Sequence, residues 1–381
     1  MQFKDIVGQV EIKQHLINTV KENRISHARL FLGPDGSGSL AMAVAYAQYI
    51  CCENPSDEDS CGVCPSCRKY SKLIHPDLHF SYPFFARGKE ETALTYIEEW
   101  REAFLANPYL GLEEWRNQLE AENKQANINI AECHQIIKKL SLKPFESNYK
   151  VLIMWLPEYL DKEGNALLKI IEEPPFNTLF LLVAENQDQI LNTILSRTQL
   201  LKIPRVSDQE VKNFLLTKFS ISEEEAARIA YLSDGSIRVA INLTSEETDN
   251  NFDLFTGWLR ICYGNQGALA IDFAEQVSRM GRENQKNFLR YGVKLMREVI
   301  MLLGGAENLI HLPERGMQFV HKFSQKVDIP QVEAVVAELE KAHYHIERNA
   351  NAKILFLDVS LQIIKILRFN TLPKGTQYIY S

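Results

Sequence analysis

Three features of this 381-residue sequence predict an α/β nucleotide-binding domain with a parallel sheet, followed by helical segments. Short apolar runs alternate with helical or polar stretches through the first half, and a glycine-rich turn joins the first of those runs to a helix. Beyond Pro204 only helical periodicity remains. Composition agrees, because 45% hydrophobic and 24% charged residues suit packed cores and exclude a disordered, fibrous or disulfide-scaffold chain. A net charge of −7 excludes a uniformly basic surface that would wrap nucleic acid, so any DNA involved is held mostly by partners. No apolar run reaches the roughly 18 residues that span a bilayer, and MQFKDIVGQ lacks a signal-peptide pattern. No membrane partner and a cytoplasmic location are therefore expected.

Taken in order, Val10, Ile12, Leu16, Ile17 and Val20 recur at helical spacing and predict a helix over 9–23. The stretch HARLFLGPDGSGSLAMAVAYAQYI reads as strand, turn and helix. Further strands are predicted at 75–84, 150–155, 178–184 and 199–203, in continuous apolar runs that suit a sheet covered on both faces. Residues 165–173 read as a helix stopped by Pro174-Pro175. Ser207 and Asp208 are cap candidates for a small helical unit ending in IRVAINL. Periodic segments begin at Phe252, Phe255, Trp258 and Leu259 and continue at 288–303, 332–339 and 354–367. The predicted organisation is an α/β domain over 1–204, a helical lid over 205–248, an all-α domain over 249–370 and a poorly ordered tail over 371–381.

The turn Gly33-Pro34-Asp35-Gly36-Ser37-Gly38-Ser39-Leu40 has the glycines of a phosphate-binding P-loop, G-x-x-x-x-G-K-[ST]. Ser39 stands where the cationic Lys belongs, and Leu40 where the magnesium-binding hydroxyl belongs. The second nucleotide motif should end a hydrophobic strand with Asp, yet the strand over 150–155 ends in Trp155. Without Lys, hydroxyl and carboxylate, the charge developing on a transferring phosphoryl group has little to stabilise it. Hydrolysis is not expected, and neither is passive nucleotide binding.

Cys52, Cys61, Cys64 and Cys67 lie in the polar loop CENPSDEDSCGVCPSC, whose C-x2-C steps suit a structural zinc site of four thiolates. An iron–sulfur cluster and free thiols are the alternatives, and the eight-residue gap is unlike ferredoxin spacings. Cys51 is expected to point away, while Cys133 and Cys262 fall in apolar helical contexts of buried core thiols.

FKDIVGQ, HARLFLGPDGSG, the cysteines after the turn helix, HPDLH, NALLKIIEEPPFNTLFLLVAE, LSRTQLLKIP and LSDGSIRVAINL together resemble the clamp-loader branch of the AAA+ proteins. Within it the sequence is most similar to the delta-prime type of subunit of bacterial DNA polymerase III. The motif likeness covers about the first 245 residues, and the helical remainder matches in architecture and in the stretch Asn349-Ala350-Asn351-Ala352. The resemblance implies a degenerate AAA+ domain, a lid, and a collar that assembles with motor subunits and a delta-type subunit. It also implies that the sliding clamp and primed DNA are met through that assembly during DNA replication. Ser196-Arg197-Thr198 resembles the family's Ser-Arg-Cys motif, which makes Arg197 a candidate arginine finger acting in trans on a neighbour's nucleotide, with a local salt bridge as the alternative. Arg238 resembles a lid arginine that contacts phosphates, although here packing or a salt bridge is equally expected.

One region departs from the family. Residues 85–127 are inserted, rich in Tyr96, Trp100, Phe104, Tyr109 and Trp115 together with Glu98, Glu99, Glu113 and Glu114. They read as an amphipathic helical hairpin packed on the domain or as a partner surface, and their acidity argues against DNA. Two rival functions remain: an ATP-hydrolysing motor subunit, which would need Lys at 39 and Ser or Thr at 40, and a stand-alone zinc-containing nucleotide sensor outside replication.

Overall fold

The computed structural model describes residues 1–369, apart from 87, 89, 122, 123, 245–247, 308, 309, 311, 313 and 349. The expected tail over 371–381 and Asn349 of the last motif lie outside the described residues. The chain divides into two compact units, Met1–Asn242 and Leu243–Ser381.

In the first unit, α1 (Val10–Lys21) leads to β1 (Ala28–Leu32), α2 (Ser39–Ile50) and α3 (Pro65–Tyr70). There follow β2 (Leu78–Ser81), α4 (Ile97–Ala106), α5 (Leu112–Gln118), α6 (Ile130–Leu140) and β3 (Lys150–Trp155). A 3-10 stretch (Pro157–Leu167) winds into α7 (Leu168–Glu172), and β4 (Thr178–Ala184), α8 (Asn192–Leu195) and β5 (Gln199–Lys202) complete the α/β part. Helices α9 (Asp208–Lys218), α10 (Glu223–Ser233) and α11 (Ile237–Leu243) close the segment.

All strand pairs are parallel, in the order β2-β3-β4-β1-β5. The register places Arg29 beside Leu181 and Ile153 beside Leu181 on the other side, so the most apolar strands sit centrally. Every residue of β3 and β4 is buried, which is why those runs carry no polar alternation. β5 is an edge strand and largely exposed, as its mixed sequence QLLK allows. β2 is shorter than the 75–84 run predicts, because Pro76 and Pro83 flank it and neither can donate to a ladder.

The expected helix over 165–173 forms only in its second half. Up to Leu167 the chain is 3-10, with the Asn165 side-chain amide donating to the Lys162 carbonyl at 2.9 Å in competition with backbone winding. Ser207 caps α9 as expected, its hydroxyl accepting from the Glu210 N–H while the Glu210 carboxylate takes the Ser207 N–H.

The second unit is helical among its described residues: α12 (Thr248–Tyr263), α13 (Gly267–Ser278), α14 (Arg282–Leu303), α15 (Glu314–Ser324), α16 (Ile329–Glu347) and α17 (Ala352–Phe369). Its core is aromatic, with Trp258 stacked on Phe273 at 5.0 Å and flanked by Phe255, Phe288 and Phe356. The Trp258 indole N–H donates to the buried Ser360 hydroxyl at 2.8 Å, satisfying the one polar atom that ring brings inside. Among the described residues no helix is long and apolar enough to cross a membrane.

Candidate functional site

The glycine-rich turn lies between β1 and α2, where a parallel sheet presents the strand C-termini to a ligand. Gly36 and Gly38 take φ of 73° and 88°, a region that side chains disfavour, so both glycines are needed for the turn itself. The residues that replace the ligand-binding pair are turned inward. The Ser39 hydroxyl lies 2.9 Å from that of Ser37, both buried, and Leu40 is buried in the core behind the turn. A backbone cradle is present, yet no cation reaches into it from positions 39 or 40.

Trp155 ends β3 at 3% exposure, and its ring meets Trp100 of α4 at 5.2 Å. Trp100 in turn stacks on Tyr82 at 4.1 Å and meets Trp115 of α5 edge-on at 5.4 Å. The Trp115 indole N–H donates to the Pro83 carbonyl at 2.7 Å. The insert is therefore rooted in the domain through its aromatic side chains, and Phe84 and Asn127 exchange backbone hydrogen bonds of 3.1 Å at its base. That is the hairpin packed on the domain, with all five of its named aromatic residues buried. Glu158, the acid that follows Trp155, accepts the Glu185 and Asn186 N–H groups at 2.7 and 2.9 Å. It fastens the end of β4, where a hydrolase would need it to orient water.

Between turn and insert the remaining cavity measures about 20 Å³, lined by residues 33–40, by Pro108, Tyr109 and Leu110 of the insert, and by Trp155 and Glu185. That is room for about one water molecule. Arg238, 5% exposed, pairs with both carboxylate oxygens of Asp35 and with Glu114 at 2.8 Å. The salt-bridge reading of Arg238 is what the geometry displays, and its two acidic partners leave the site with no uncompensated positive charge from that side chain.

The thiol sulfurs of Cys52, Cys61, Cys64 and Cys67 all lie within 4.8 Å of one another. The 3.9 Å separation of the Cys61 and Cys67 sulfurs compares with about 3.8 Å for the edge of a tetrahedron with 2.3 Å metal–sulfur bonds. Backbone N–H groups of Cys61, Cys64 and Cys67 point at the sulfurs of Cys52, Cys61 and Cys64 at 3.2–3.4 Å, an arrangement that favours thiolates. The N–H groups of Val63 and Cys64 pull the Cys61 thiol down to about 6, whereas burial pushes the Cys52 and Cys67 thiols up. A cation among the four would offset that burial, so the cluster could hold one metal ion. Pro65 starts α3 directly after Cys64, fixing the last C-x2-C step on a helical turn. Cys51 is buried with its sulfur 3.9 Å from the Tyr149 carbonyl, outside the cluster, and Cys133 and Cys262 are fully buried in helices.

Arg197 lies in the turn between α8 and β5. Its Nε donates to Glu172 at 2.9 Å and its NH1 to the Thr193 carbonyl at 3.0 Å, with the side chain 31% exposed. Arg197 is not among the residues that line the cavity at the degenerate turn.

Two contributions were missed in the sequence. Asp77 of HPDLH is 2% exposed and accepts the N–H groups of Phe145, Glu146 and Ser147 at 2.6, 2.9 and 2.9 Å, fixing the loop before β3. A lone Asp between two histidines carries no periodic signal for that. Tyr109 packs against the turn, and the only hint was Asn107-Pro108, which marks a break between two helices.

A family model described as DNA polymerase III, delta subunit matches residues 8–207, more than half of the chain. The chain is similar to the DNA polymerase III subunit gamma of Buchnera aphidicola, at 29% identity over 63% of this chain and 57% of that protein. It is also similar to the DNA polymerase III subunit delta' of Escherichia coli, at 25% identity over 60% of this chain and 58% of that protein. A DNA polymerase III gamma subunit-related protein from Thermotoga maritima aligns at 14% identity and a TM-score of 0.41, covering 94% of this chain and all of the other. The aligned stretch spans less than two thirds of the length of these curated relatives. On the match over residues 8–207, the chain belongs to the DNA polymerase III delta-subunit family, a family of clamp-loader subunits.

Proposed function

We propose that this chain is a non-hydrolysing, stator-like clamp-loader subunit of the delta-prime type, a scaffold beside which motor subunits use ATP to place the sliding clamp on primed DNA. The observation that carries the reading is the one-water cavity over a turn with Ser39, Leu40 and Trp155 where catalysis needs Lys, a hydroxyl and a carboxylate. A phosphate-bearing ligand has little room there, and the guanidinium at the turn, Arg238, is already paired with Asp35 and Glu114. Similarity to relatives named gamma and tau is what a motor reading would rest on, and those three residues weigh against it.

In this reading the collar over 249–370 and faces of the AAA+ domain over 1–204 are the segments through which motor and delta-type subunits are met, with the lid over 205–248 between them in sequence. Cys52, Cys61, Cys64 and Cys67 hold one structural zinc ion, whose closed four-thiolate sphere leaves no open position for chemistry. Arg197 leaves Glu172 on assembly and faces the neighbour's nucleotide.

The test is ATP turnover by the purified chain, alone and with primed DNA. The expected result is none above background. Turnover abolished by a change within 33–40 would overturn the reading.

A further inference from the structure

We propose that the inserted hairpin is a built-in ligand of the degenerate nucleotide site, with Tyr109 as its filling group and Glu114 as its anion, and that it holds helices α9 to α11 against the sheet permanently. The inference rests on the reading that this site takes no nucleotide, and adds what stands in its place.

Tyr109 touches three walls of the site. Its phenol oxygen accepts the Val7 N–H at 2.8 Å, from the segment before α1. Its ring lies against the turn, where a Cβ built on Gly38 would come within 3.0 Å of Cε1. On the third side the ring faces Phe214 of α9 at 6.5 Å. The side chain is 7% exposed, so it sits inside the site rather than over its mouth.

Glu114 supplies the charge. One of its oxygens accepts from Arg238 of α11 at 2.8 Å, while the other takes the Gly111 N–H at 3.2 Å and so fixes the carboxylate on its own helix. Arg238 also pairs with Asp35 of the turn, and the Ile237 N–H donates to the Gly36 carbonyl at 3.0 Å. A Cβ on Gly36 would lie 2.1 Å from the Ser236 hydroxyl oxygen, so turn and α11 are in direct contact. Arg238 is therefore held between two carboxylates, Asp35 of the turn and Glu114 of the insert, which occupy the guanidinium that a phosphate would otherwise pair with.

The insert can do this because it is stiff. Trp115 follows Glu114 directly, is fully buried, and is fixed by its bond to Pro83 and its edge-on contact with Trp100. A ligand tethered this way is present at all times and cannot be hydrolysed or exchanged, so helices α9 to α11 have no reason to move through a nucleotide cycle.

Hydrogen–deuterium exchange on the full chain tests this. In Tyr109→Ala/Glu114→Ala, amides of 207–242 should exchange about tenfold faster, with those of β3 and β4 unchanged. Glu114→Gln keeps the shape and loses the charge, and should give about threefold in the same segment even if the double variant fails to fold. Magnesium ATP should leave exchange in the unaltered chain unchanged. Protection of 33–40 by magnesium ATP would overturn this inference together with the nucleotide-free reading. Unchanged exchange of 207–242 in both variants would overturn the inference alone.

Discussion

Trp155, the last residue of β3, packs its ring on Trp100 of α4 with centroids 5.2 Å apart, so the strand position that would present a magnesium-binding carboxylate instead anchors the insert. Trp155→Asp would place a carboxylate among Trp100, Val183 and the turn and leave the volume of an indole empty. The expected loss of stability is about 3–5 kcal/mol, from the void and the unpaired charge together. Denaturant unfolding measures it. A loss under about 1 kcal/mol would mean that Trp155 is not an anchor.

Restoring Ser39→Lys and Leu40→Thr should not produce ATP turnover. Trp155 still offers no carboxylate, and Tyr109 still packs against the turn and leaves a cavity of about 20 Å³. The Leu40→Thr change alone buries a hydroxyl where a methyl-rich side chain now packs, at a cost of about 1–2 kcal/mol. Hydrolysis by the double variant at rates typical of motor ATPases would show that the site needs only its lost side chains.

The sheet was readable because β3 and β4 are buried on both faces, and a strand in that setting can only be a continuous apolar run. The cysteine cluster was readable because its ligands are local. What could not be read is what joins distant segments. Tyr109 meets Val7 across the sequence, and Glu114 meets Arg238, yet nothing local distinguishes the one from an ordinary turn residue or the other from an ordinary helix residue. The helix expected over 165–173 starts late for the opposite reason, since a side-chain bond at Asn165 competes with good apolar spacing.

Removing metal from the four cysteines should loosen a loop that has almost no apolar residues of its own. The N-terminal segment should loosen with it, because Asp59 accepts the Phe3 and Lys4 N–H groups at 3.1 and 3.0 Å and Gln2 bonds the Ser60 carbonyl. Elemental analysis should find one zinc per chain, and a chelator should speed proteolysis within 52–67 while leaving the second unit intact. Iron, or no metal at all, would refute the assignment.

Asp77 should give stability a dependence on acid. Burial pushes its carboxyl up, but the N–H groups of Glu146, Phe145 and Ser147 together outweigh burial and hold it below the usual value. A carboxyl lowered in the folded state stabilises fully above its unfolded value of about 3.9, and the contribution is lost as pH falls through the folded value. Asp77→Asn should cost about 2–3 kcal/mol at neutral pH and flatten the fall in stability below about pH 4. Equal losses at pH 7 and pH 3 would show that the charge contributes nothing.

Arg197 and Glu172 form an exposed pair at 2.9 Å, and that pair decides between the two readings of the arginine. Both partners are well solvated, so the pair itself contributes at most about 1 kcal/mol and Arg197→Ala should fold and assemble normally. If Arg197 only braces α7 against α8, then Arg197→Ala and Glu172→Ala should have the same small effect on stability and no effect on any ATP site. If it acts in trans, the two variants must diverge. Arg197→Ala should lower turnover at the adjacent motor site by about 10³-fold, since a positive charge on a transferring phosphoryl group is worth that much. Glu172→Ala should leave that turnover unchanged or raise it, because it releases the guanidinium from its local partner. The measurement needs an assembly in which only the adjacent motor site is active, so that the other sites do not mask the loss. Equal turnover in the two variants would return Arg197 to its salt bridge.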